Sequence, residues 1–160
     1  MATSTPTSSM IENTIKEYFA SKLEFFDTKS SAQSSRTQTE DCNFSLAPAS
    51  FHRELGIPAG FALSNTAWDE HVLGQLPLLH TAQSERLETV IDAAARKAVV
   101  HVRNEMVLKD GNKATVENAL FFYFIDDGTK IKKIVEFTDV VETKRYLGLV
   151  EEAKHAAKKE

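Results

Sequence analysis

The chain has 160 residues, a net charge of −4 and a pI near 5.8, with 42% hydrophobic and 26% charged residues. That is the size and composition of one globular domain, long enough to bury a core without staples. Scattered basic residues and a net negative charge exclude a sequence-independent nucleic-acid binder, and a single cysteine, Cys42, excludes an internal disulfide and a thiolate metal cluster.

Met1 to Ser9 is small and polar, without the apolar run of a secretory signal and without arginine, and it predicts a disordered leader. With the lone cysteine this points to a reducing, cytoplasmic compartment. No run approaches membrane-spanning length. The domain proper is expected over 10–141, followed by a helix and tail over 142–160.

From Met10 to Asp27, Ile11, Ile15, Tyr18, Phe19, Leu23 and Phe26 recur at helical spacing. Lys29 to Ser35 reads as a polar connection. A brief strand is expected around Cys42 to Leu46, then a loop punctuated by Gly56, Pro58 and Gly60. Ser64-Asn65 can cap a helix carrying Trp68, Val72 and Leu73, which Pro77 ends. The rest is a meander. Leu87 to Asp92, Lys97 to Leu108, Thr115 to Ile125 and Lys130 to Thr138 are strand-like, and Asp110-Gly111-Asn112 and Asp126-Asp127-Gly128 are turns. Short turns predict antiparallel pairing. Glu142 to Lys159 closes the chain as a polar helix with Tyr146, Leu147 and Val150 on one stripe. The fold class is therefore α+β: a curved antiparallel sheet with helices across one face, enclosing a pocket. Ten Phe, most of them in two runs, fit a packed interior or an aromatic-lined cavity.

The segment "NALFFYFIDDGTKIKKIVEFTD", Asn118 to Asp139, resembles the C-terminal hairpin of SnoaL-like proteins, above all their fungal natural-product branch. "RTQTEDCNFSLAPASF", Arg36 to Phe51, resembles that branch's segment of an arginine, an acidic residue, a cysteine and a "LAPAS" loop. "SNTAWDEHV", Ser64 to Val72, resembles its helix opening with an aromatic residue and a later histidine. The resemblance spans Met10 to Val141 in order. It implies a nuclear transport factor 2-like cone, a homodimer, and a small-molecule substrate. The activity it implies is a cofactor-independent isomerase, cyclase or lyase acting on a natural-product intermediate by acid–base chemistry. The alternative is a non-catalytic binding or scaffold domain of the same fold.

Glu136 is the first candidate. Ile134, Glu136 and Thr138 share one strand face by the period of two, and a carboxylate in an apolar cavity has a raised pKa suited to proton transfer. Arg36 is expected to enter the pocket and stabilise an oxyanion, as the resemblance also implies, or neutralise Glu136. Asp41 could pair with it or serve as a second carboxylate. His101, on a strand in phase with Val99 and Arg103, could move a proton. Trp68 and His71 share a helix face and with Asn118, Leu120, Phe122 and Phe124 are expected to line the substrate site. Relatives often carry tyrosine where this chain has Asn118, and asparagine cannot act as a phenolic acid. No histidine pair has ligand spacing, so no metal is expected, and no cofactor motif (GxGxxG, P-loop) or GxSxG elbow occurs.

Overall fold

The computed structural model describes residues 6–29 and 36–158. Positions 1–5 of the expected leader and 30–35 of the expected polar connection lie outside the described residues. The first helix, α1 (Ser8–Thr28), begins two residues before the predicted start. Thr7 caps it by accepting from the Met10 amide, and Lys29 in the left-handed region at φ 54° ends it. Its inward face is Ile11, Ile15, Tyr18 and Phe25, at helical spacing. Two short helices follow, α2 (Ala49–Leu55) and α3 (Asn65–Leu73), the second capped by Ser64. The closing helix α4 (Val140–Ala157) is capped by Asp139, whose carboxylate accepts from the amides of Val141 and Glu142. No helix among the described residues is long and apolar enough to cross a membrane.

The strands are β1 (Gln38–Ala47), β2 (Leu63–Ser64), β3 (Leu79–Asp92), β4 (Lys97–Leu108), β5 (Lys113–Phe124) and β6 (Ile131–Thr138). They form one curved, unclosed sheet in the order β2-β1-β6-β5-β4-β3. The meander β3 to β6 is antiparallel, as its short turns predict. One pairing differs: β1 runs parallel to β6, with Leu46 opposite Glu136, so the sheet is mixed rather than wholly antiparallel. The turn argument applies only to strands adjacent in sequence. Between β1 and β6 lie residues 48–130, about half of the chain, which supply the long crossover a parallel pair needs. Register shifts between Arg86 and Glu88 and between Tyr123 and Phe124 break the regular ladders, a feature that bends a sheet.

Alternation along β5 shows how the interior is partitioned. Ala114, Val116, Asn118, Leu120, Phe122 and Phe124 all face inward. At one end Phe122 and Phe124 pack with Ile11, Ile15 and Tyr18 of α1 and with Val100, Ile131 and Ile134. At the other end Ala114 and Val116 pack with Leu108 and with Tyr146 and Val150 of α4. Each helix thus covers one end of the concave face. Leu120 closes the first cluster, and Asn118 falls between the two; there the interior is open.

Candidate active site

The opening is a cavity of about 530 Å³, the size range of small-molecule sites. Its walls are mainly aromatic and aliphatic, including Phe19, Phe44, Trp68, Met106, Leu120 and Leu147. Phe44 and Trp68 stack with centroids 4.0 Å apart at 22°, which gives one flat aromatic wall.

Glu136 projects into this cavity from β6. The Asn118 amide donates to its Oε1. Thr138 donates its hydroxyl to Asn118 Oδ1 at 2.8 Å, and lies 2.5 Å from the hydroxyl of Thr143 on α4. Because the Thr138 proton is committed to Asn118, Thr143 donates to Thr138. The chain therefore runs in one direction, Thr143 to Thr138 to Asn118 to Glu136, and it fixes which way the Asn118 amide points. Oε2 of Glu136 has no hydrogen bond from a described residue, and no described cation pairs with the carboxyl. Burial pushes Glu136 up from 4.5 to about 7, and the Asn118 hydrogen bond only partly opposes this. Such a group can both give and take a proton near neutrality.

Tyr18 lies beside this carboxyl and keeps its phenolic proton: burial raises its pKa, and the charges of Glu136, Cys42 and Asp69 add to the effect. One helical turn on, Lys22 reaches the cavity wall. Its ammonium lies 5.2 Å from the centre of the Tyr18 ring and 4.0 Å from Asp69. Burial lowers its pKa, opposed by the Asp69 charge. Elsewhere on the wall Tyr146 donates to Gln75 Oε1 at 2.7 Å, leaving the Gln75 amide nitrogen to donate to His71 Nε2 at 2.9 Å. His71 is thereby held as the neutral Nδ1–H tautomer, and burial lowers its pKa, with Lys154 adding to the effect.

Glu136, Trp68, His71, Asn118 and Leu120 are thus brought together on the cavity wall. Phe122 and Phe124 face the same way but are fully buried in the core under α1, not on the wall. The three other expected catalytic groups lie elsewhere. Arg36 is bound outside the cavity, 2.5 Å from Glu17 and 2.5 Å from Glu24 of α1, so its guanidinium is spent on two carboxylates of that helix. Asp41 points to solvent from β1, whose inward residues are Cys42 and Phe44. His101 sits on the outer sheet face, where its Nε2 lies 3.0 Å from Glu117, a carboxylate shared with Arg103. Among the described residues no group of three His, Cys, Asp or Glu is arranged to hold a metal.

The sequence reading missed Tyr18 and Lys22 as cavity groups. Tyr18, Lys22 and Phe26 recur every four residues, so a cation on an otherwise aromatic helical stripe was the available signal.

No family model and no curated protein matches the chain. Solved structures do. The fungal BvnE pinacolase from Penicillium brevicompactum superposes with a TM-score of 0.74 at 17% identity, covering 93% of each chain. PrhC from Penicillium brasilianum gives 0.65 at 22% identity over 91% of this chain and 94% of its own. An ntf2-like protein of unknown function from Burkholderia pseudomallei gives 0.63 at 12% identity over 85% and 95%. Helices across a curved, unclosed sheet, superposing over nearly the full length of these chains, make this the nuclear transport factor 2-like fold.

Proposed function

We propose that the protein is a cofactor-independent isomerase, cyclase or lyase for a small natural-product intermediate, with Glu136 as the proton-transferring group. The observation that carries this reading is a carboxyl, the one acid among the described residues of the wall, held at a pKa of about 7 by burial inside an apolar cavity of about 530 Å³. Thr143, Thr138 and Asn118 hold the carboxyl in one orientation. The Phe44–Trp68 wall would align a flat or polycyclic substrate against it, so that positioning in a water-poor space selects one product. Arg36 has no part in this chemistry, because it is engaged by Glu17 and Glu24. The similarity to a pinacolase supports the same broad class. The reading includes a homodimer, supported by exposed Phe137 beside Phe121 on the outer sheet face.

The test is metabolite profiling of the producing strain with the wild-type gene, a deletion, and Glu136→Gln. Glu136→Gln keeps the shape and the hydrogen bond from Asn118 but cannot exchange a proton. The expected result is the deletion profile. A wild-type profile from Glu136→Gln would remove the catalytic claim and leave a binding domain.

A further inference from the structure

Lys22 is the feature of this cavity that proton transfer at Glu136 does not use. An ammonium is costly to place against apolar walls, and chains rarely do so without a partner. The side chain is only 16% exposed, and its nearest carboxylate oxygen, Asp69 Oδ1, is 4.0 Å away, well beyond the length of a charge-assisted hydrogen bond. Among the described residues Lys22 makes no hydrogen bond, so its three N–H donors are committed to no described acceptor. The Lys22 ammonium lies over the Tyr18 ring, while the Tyr18 hydroxyl feels the charge of Glu136. Lys22 and Glu136 thus both border the cavity, one from α1 and one from β6, with Tyr18 adjoining the ammonium and Phe44, Trp68 and Leu120 supplying apolar wall.

Among the described residues the other permanent cation on the cavity wall is Arg86. It is already committed, 3.4 Å from Glu12, with its guanidinium 5.7 Å from the Phe19 ring centre. His71 is held neutral by Gln75. That leaves Lys22 to meet a negative ligand atom.

We infer that Lys22 is the anion-recognising group of this cavity, and that its ligand is an apolar molecule carrying an oxyanion, such as a carboxylate or an enolised dicarbonyl oxygen. This deepens the reading of the Glu136 cavity and rests on it. A ligand oxygen at Lys22 would anchor the molecule at the helix side and fix which carbon faces the carboxyl on the sheet side.

The test uses two fluorescent probes with the same aromatic skeleton. 8-Anilinonaphthalene-1-sulfonate carries an anion and N-phenyl-1-naphthylamine does not. Both are titrated at pH 6, where Glu136 is protonated. Energy transfer from Trp68, the single tryptophan of the chain and a cavity-wall residue, reports that the probe is inside. Lys22→Met is expected to weaken the sulfonate probe at least tenfold and to leave the neutral probe within twofold. Asp69→Asn, which removes the charge competing for Lys22, is expected to tighten the sulfonate probe severalfold. Neutral-probe binding serves as the folding control, and if Lys22→Met does not fold, Asp69→Asn decides: no tightening overturns the inference. Sulfonate binding unchanged in a folded Lys22→Met overturns it too, while leaving the role of Glu136 intact. A wild-type protein that takes up neither probe refutes both readings, because the cavity would then admit no apolar ligand.

Discussion

Replacing Glu136 by glutamine should remove one component of the pH dependence of stability over a defined window. The carboxyl ionises near 4.5 in the unfolded chain and near 7 in the folded one. Below pH 4.5 both states hold the proton, and the substitution changes no charge. Between these values the folded state keeps a proton that the unfolded state has released, so wild-type stability falls as pH rises. Above pH 7 the penalty is complete. At ~1.4 kcal/mol for each tenfold change in acidity, the loss amounts to about 3 kcal/mol. Glu136→Gln accepts the same hydrogen bond from Asn118 without the charge and escapes the loss. Urea denaturation of both proteins at half-unit steps from pH 4.5 to 8.5 measures the difference, in which every other titrating group cancels. The curves should meet near pH 4.5 and separate by about 3 kcal/mol at pH 8, with the variant more stable. For a chain of this length that is roughly 6–12 °C in Tm. Parallel curves would show that the carboxyl is solvated, and the argument for proton transfer near neutrality would fail with it.

Phe122→Ala should cost about 3–5 kcal/mol in chemical denaturation, because the ring is fully buried and edge-packed against Tyr18 at 5.1 Å. Gly128→Ala should cost more than about 1 kcal/mol by thermal melting. Its φ is +76°, and a Cβ there would sit 2.8 Å from Cβ of Pro6. Asp139→Ala removes the cap of α4 and should cost about 1 kcal/mol, with faster amide hydrogen exchange in the first turn of that helix.

Sheet periodicity made much of the site legible before any coordinates. The strict alternation of β5 and the hydrophobic partners of Glu136 on β6 gave the correct inward set. The same periodicity could not say which face was inward for β4. His101 shares a face with Val99 and Arg103, and the neighbouring face, with Val100 and Val102 buried, is the one that meets the helices. Period two yields two faces, and only packing chooses between them. Arg36 precedes β1 and has no periodicity to place it; its position follows from two glutamates a helix away, a pairing no local pattern encodes. The full ten-residue span of β1 was hidden because Glu40, Asp41 and Asn43 face solvent, so its hydrophobic signal shrinks to Cys42, Phe44 and Leu46. Lys22 went unread because a helix stripe is scanned for what is apolar, and the informative residue was the one that was not.

The strand bearing Glu136 is bonded along both edges, to Leu46 of β1 on one side and to Leu120 of β5 on the other. Its backbone is thus clamped in the middle of the ladder, while much of the surrounding wall comes from side chains on α1, α3 and α4. Apart from Thr143, which anchors the hydrogen-bond chain to Asn118, residues on those helices can change and reshape the chamber without displacing Glu136. Such an arrangement ties the buried carboxyl to the sheet and much of the chamber's shape to the helices, so that the two can drift independently.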